Sequence, residues 1–181
     1  MNYTLPKSLE IGGTEYEIRS DYREVLDVCA ALNDPDLSDQ ERAIAALCIF
    51  YPGFDAMPAA HVQGALEQCY WFINGGEEPE KANGPRLMDW EQDFTRIVPP
   101  VNRVVGTDVR ALPYLHWWTF LAAYYEIGDC LFAQIVRIRS KRAAGKTLDK
   151  QDREFYRKNR KLIDLSTRHT GEEQELLKQW T

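Results

Sequence analysis

Three histidines, four cysteines and one carboxylate pair are the groups in this 181-residue chain whose types and spacing could do chemistry. His61, His116 and His169 lie far apart. None forms the HxxxH or HExxH pair that would set two imidazoles on one helix face for a metal. Cys29, Cys48, Cys69 and Cys130 stand singly among apolar residues, with no two at metal-ligand spacing. They read as buried free thiols in a reducing compartment. Asp89 and Asp93 share a helix face at i, i+4, but that is the pattern of a solvated face, and no nucleophile lies beside them. The chain has no GxSxG elbow, no phosphate-cradling GxxxxGK[ST] and no GxGxxG. Gly12-Gly13 and Gly75-Gly76 lack the strand–turn–helix setting of a phosphate loop. The expectation is a protein that is not an enzyme, holds no metal or cofactor and needs no disulfide.

Charge is the feature that competes for a function. The net charge is −6, which argues against general coating of nucleic acid. Residues 137–161 nevertheless hold eleven of the 22 Lys and Arg against three acids, leaving eleven basic and 25 acidic residues elsewhere. Basic side chains clustered on successive helices can meet phosphate backbones or an acidic protein surface. They can also sit beside the chain's own acids or form a solvated face. Arg137, Arg139, Lys141 and Arg142 are the candidate partner-binding cations. Trp71, Phe72 and Tyr124 are candidate aromatic contacts, if the core leaves them over.

Those groups have to be positioned by helices. The richest stretch, Leu112 to Ile127, reads LPYLHWWTFLAAYYEI and predicts a central core helix, with Pro113 in its first turn. Leu115, Trp118, Ala122 and Tyr125 make one apolar stripe, and Trp117, Leu121 and Tyr124 another. His116 reads as a helix residue whose ring bonds a backbone or carboxylate partner. The stretch is too short for a bilayer, which needs roughly twenty apolar residues. Before it, Leu9 and Ile11, then Tyr16 and Ile18, alternate around Gly12-Gly13 and predict a β-hairpin over 8–19. A lone hairpin is marginal in water, so this one must pack on helices or find a partner.

Ser20-Asp21, with Glu24 three residues after Asp21, then caps one helix, Ser38 with Glu41 forms a capping box for the next, and Pro58 opens a third that stops at Asn74. The polar run from Gly75 to Arg86 reads as a linker. Leu87, Trp90, Phe94, Ile97 and Val98 mark a fourth helix that Pro99-Pro100 should end or kink. After the central helix, Leu131, Phe132, Ile135, Val136 and Ile138 should face the core while Arg137, Lys141 and Arg142 face outward. A last long helix covers 148–165, and a short helical tail covers 171–181. The fold class is therefore mainly α: a helical bundle of six or seven helices with an N-terminal β-hairpin. We read one domain over 1–181, with helical halves 20–74 and 87–165 joined by the linker 75–86. At 44% hydrophobic and 28% charged residues the chain suits a soluble domain. MNYTLPKSLEIGG lacks the basic-then-apolar order of a secretion signal, so a cytoplasmic location is expected.

Three segments in fixed order add a resemblance: MDWEQDFTRIV at 88–98, LHWWTFLAAY at 115–124, and IVRIRSKRAAGKTLDKQDREFYRKN at 135–159. Together they resemble the bacteriophage Gp-fifteen family of tailed phages and prophages of Gram-positive bacteria. The pattern is an acidic DWE at Asp89-Trp90-Glu91, then His116-Trp117-Trp118 with Phe120, then Ile135 with Ile138-Arg139. The hairpin and Asp21-Tyr22-Arg23 also look like the family's N-terminal half. The resemblance implies a tail-morphogenesis protein encoded near the major tail protein and the tape measure, acting in the host bacterial cytoplasm. Proteins of that interval act as tail assembly chaperones that keep the long tape-measure helices soluble. The implied partners are the tape-measure protein, other tail proteins and a second copy in a homo-oligomer. A permanent tail component and a nucleic-acid-binding regulator are the alternatives. The family offers no catalytic residue to carry over.

Overall fold

Two adjacent glycines set the first element. Gly12 and Gly13 both take positive φ (57° and 79°), which side chains resist, and close a two-residue turn. The computed structural model describes residues 4–78 and 84–166. In it, β1 (Ser8–Ile11) pairs antiparallel with β2 (Thr14–Glu17), Ile11 opposite Thr14 and Leu9 opposite Tyr16. Leu9 and Ile11 are buried, and the Tyr16 hydroxyl meets His61 Nδ1 at 2.7 Å. The hairpin is thus supported by the helical part of its own chain.

Eight α-helices follow among the described residues, so the mainly α fold with an N-terminal hairpin is what the chain adopts. The first is α1 (Tyr22–Leu32), capped by the Asp21 side chain; α2 (Asp39–Phe50) starts at the expected Ser38–Glu41 box. A 3-10 turn after Pro58 leads into α3 (Val62–Ile73). Then come α4 (Trp90–Val105), α5 (Trp117–Tyr125) and α6 (Leu131–Ala143). The last, α7 (Lys150–Lys158) and α8 (Arg160–Ile163), replace the single helix expected over 148–165, because the chain leaves helical angles at Asn159. The tail expected over 171–181 lies outside the described residues.

Packing divides the described chain into two units, residues 4–78 with 113–121 and residues 84–112 with 122–166. In the first, Val25, Val28, Leu47, Phe50, Ala65 and Phe72 form the buried interior. Tyr22 stacks on Phe120 at 4.6 Å, and Trp117 donates from its indole to the Ile73 carbonyl. In the second, Ile135, Ile138 and Ile163 form a core that Leu148, Phe155, Tyr156 and Leu162 pack against.

Two expectations for helices change. Pro99 and Pro100 lie inside α4, which runs on to Val105. Proline's φ suits a helix, but each ring removes an N–H donor and crowds the carbonyl four residues before it, so other contacts must hold the continuation. Burial of Ile97, Val98, Pro100 and Val101 and the bond from Arg103 Nη2 to the Ile127 carbonyl hold the continuation. The α5 helix is shorter than its apolar run. Residues 112–116 are not helical, so Pro113 is outside it. Its buried line is Trp117, Phe120 and Leu121, while Ala122 is exposed and Tyr125 is 72% exposed.

What precedes α5 is a strand-like segment tied to the start of α1. His116 forms an isolated antiparallel bridge with Asp21. Asp21 Oδ2 accepts the Leu115 N–H, and Tyr22 and Trp117 donate to the Leu115 and Ser20 carbonyls. The buried His116 ring does bond backbone, but from a capping position before the helix. Its Nδ1 accepts the Trp118 N–H at 3.0 Å, so its other nitrogen, Nε2, donates to the Pro6 carbonyl at 2.9 Å. Burial holds the imidazole below the ordinary histidine value of 6.5. A second proton would set an N–H against the Trp118 N–H.

Two tests follow from this packing. Trp117→Ala should lower unfolding free energy by about 3–5 kcal/mol, and Trp118→Ala, only partly buried, by clearly less. Equal losses in urea titrations would contradict the buried line. Because the folded pKa of His116 is depressed, its contribution is complete above the unfolded value and lost as pH falls through the folded one. The melting temperature should drop as pH falls below the ordinary histidine value of 6.5, and a His116→Asn variant should lose that component of the drop.

Candidate functional site

The candidate cations lie in the second unit, on α6, and each turns out to have a carboxylate. Arg139 is 5% exposed and Asp93 fully buried. The guanidinium grips both Asp93 oxygens, at 2.6 and 3.0 Å, in a bidentate fork. Its remaining donors reach the carbonyls of Ile163 (2.6 Å), Leu162 (3.3 Å) and Leu87 (3.1 Å). Asp93 also accepts the Asp89 N–H, and Asp89 caps α4. The i, i+4 carboxylates are therefore not a solvated face. One caps a helix and the other neutralises an interior arginine.

Asp152, only 2% exposed, receives Arg137 at 3.0 Å and Lys141 at 2.6 Å. Lys141 also reaches Asp149, which caps α7. The hydrogen bond to Asp152, then that to Asp149, raises the Lys141 ammonium above its usual range. Arg142 pairs with Asp164 and lies over the Tyr156 ring at 4.2 Å. Of the four cations, Arg139 is enclosed, whereas Arg137, Lys141 and Arg142 keep part of their side chains at the surface.

In the first unit, Phe72 is fully buried among Phe50, His116 and Trp118, so it offers a partner no surface. Trp71 is half-buried, edge-on to Trp118 at 5.4 Å. The same Trp118 ring approaches Gly76 so closely that a Cβ there would sit 2.9 Å from it. In the second unit, Tyr124 is half-buried against Trp90 and Phe132.

Sequence periodicity missed one open surface. A groove of about 270 Å³ runs beside Pro99 and Pro100, lined also by Thr95, Arg96, Arg103, Cys130 and Leu131. Leu131, expected in the core, is 50% exposed there. The two prolines leave the Thr95 and Arg96 carbonyls without their i+4 helical donors. The Pro-Pro step itself was the available signal, because it removes two adjacent donors whether or not the helix stops.

The thiols divide. Cys29 and Cys69 are buried, and burial pushes both up to about 12. Cys48 is exposed, and Cys130 caps α6 by accepting the Ala133 N–H. Among the described residues no cluster of His, Cys, Asp and Glu could hold a metal ion. No helix among them is long and apolar enough to cross a membrane. His169 lies outside the described residues.

Truncating one side of a buried pair leaves the other charge stranded, at a cost of about 3–5 kcal/mol. Arg139→Ala should lose that much in urea unfolding, and joint replacement by Arg139→Met and Asp93→Leu should recover most of it. A single variant as stable as the parent would show that the pair is dispensable.

Neither the curated proteins nor the solved structures contain a match to this chain. A family model described as Bacteriophage Gp15 protein matches residues 1–165, a span that includes both units, the Asp93–Arg139 pair and the groove. By that match the chain belongs to the Bacteriophage Gp15 protein family.

Proposed function

We propose that this phage-family protein is a non-enzymatic tail assembly factor that holds the tape-measure protein soluble in the host cytoplasm. The observation that carries this reading is the groove beside Pro99 and Pro100. Its apolar wall, Pro99 and the half-exposed Leu131, suits the apolar face of an amphipathic helix. Arg96 and Arg103 line the same groove and suit acidic side chains flanking such a face.

The interior supports binding over catalysis. Among the described residues its buried carboxylates and imidazole are occupied: Asp93 by Arg139, Asp152 by Arg137 and Lys141, Asp21 by backbone N–H groups, and His116 by Pro6 and Trp118. A general base or nucleophile needs a group held ready for substrate, and these are held by structure. Trp71, Arg137 and Arg142 remain at the surface as further contacts for tail proteins.

Coexpression with the tape-measure polypeptide of the same phage should shift that polypeptide from the insoluble to the soluble fraction. Leu131→Asp should reduce the shift while leaving the circular dichroism spectrum unchanged. A tape-measure polypeptide equally insoluble with and without this protein would rule the reading out.

A further inference from the structure

The described residues of the two units carry opposite charge. Residues 4–78 with 113–121 hold 14 acids and 4 bases; residues 84–112 with 122–166 hold 10 acids and 15 bases. Within the basic unit every α6 cation already faces a carboxylate, but Arg157, Lys158 and Lys161 have no acidic partner among the described residues. All three are exposed. With Arg160, which Asp164 anchors, they line an open concavity of about 450 Å³ where α7 gives way to α8. Four cations within five residues repel one another, and an anionic cover relieves that repulsion.

The acidic unit offers such a cover. Strand register sets Glu10 directly opposite Glu15 and Ser8 opposite Glu17, so all four share one face of the hairpin. Like charges directly opposite destabilise a strand pair. Ser8 donates to Glu15, but no cation among the described residues pairs with Glu10, Glu15 or Glu17. The other face carries buried Leu9 and Ile11, which holds the three carboxylates on a platform rather than a free tail.

We infer that the chain self-associates head to tail, the α7–α8 concavity of one copy docking on the outer hairpin face of a second. Both surfaces belong to the same chain, and a net charge of −6 disfavours a polyanion such as nucleic acid as the occupant. The contact pairs two different patches of the chain, so every copy carries both halves of it. The inference stands apart from the tape-measure reading and uses other residues.

Sedimentation velocity of the full chain tests it. Association should strengthen with concentration and weaken at least about tenfold as salt rises from about 0.05 to 0.3 M. The triple variants Arg157→Glu, Lys158→Glu, Lys161→Glu and Glu10→Lys, Glu15→Lys, Glu17→Lys should each stay monomeric alone, and mixing them should restore association. Replacement of the three cations by Gln gives the same reading without added acids, should the reversed variant misfold. A parent that stays monomeric at low salt, or association that neither variant weakens, would overturn the inference. So would salt-sensitive DNA retention abolished by the cation variants, which would name nucleic acid as the occupant.

Discussion

A guanidinium taken out of water must be answered by a carboxylate, and the second unit is built around one such answer. Arg139 and Asp93 bring together α6 and α4, and the spare donors of Arg139 hold the last carbonyls of α8. A buried pair like this adds little net stability over a hydrophobic replacement, but it fails badly when halved. Its geometric demand is strict. A fork needs both oxygens in plane, so it fixes the rotation of α6 against α4 more narrowly than isoleucines alone could. Ile135 and Ile138, on the same helix, then close their core against Ile163.

The first unit uses a different device for the same problem. Asp21 begins α1 and at the same time accepts the N–H of Leu115, ninety-four residues later. His116 begins α5 while reaching Pro6. Two helix starts, each with N–H groups that no helix can satisfy, are thereby satisfied by one strand-like contact. The aromatic residues pack once that contact is made.

This division of labour bears on what the family resemblance means. Asp89, Trp90, Glu91, His116, Trp117, Trp118, Phe120, Ile135, Ile138 and Arg139 carry the resemblance, and all but the exposed Glu91 cap, pack or pair in the interior. They identify a fold. The surfaces proposed for docking overlap these segments only in part: Thr95 and Arg96 fall within 88–98 and Arg157 and Lys158 within 135–159, whereas Leu131 and Lys161 lie outside them.

The sequence by itself determined the local elements: the Gly12-Gly13 hairpin, the Asp21 and Ser38 caps, and the break after Asn74. Each depends on forces acting within a few residues, a positive φ or an orphan N–H, so adjacent residues suffice to read it. Charge asymmetry was legible too, because it is a count. Only the tertiary structure decided which side of an apolar run is buried, and why α5 starts at Trp117 rather than Pro113. Residues 115–117 bond the start of α1, a long-range choice that outweighs local helix propensity. It also decided that Pro99-Pro100 is passed, since the burial that offsets two lost donors comes from distant residues. For the candidate site the split is sharper. Arg139 and Arg142 look alike in the sequence, and only the position of Asp93 makes the first an interior residue and leaves the second at the surface.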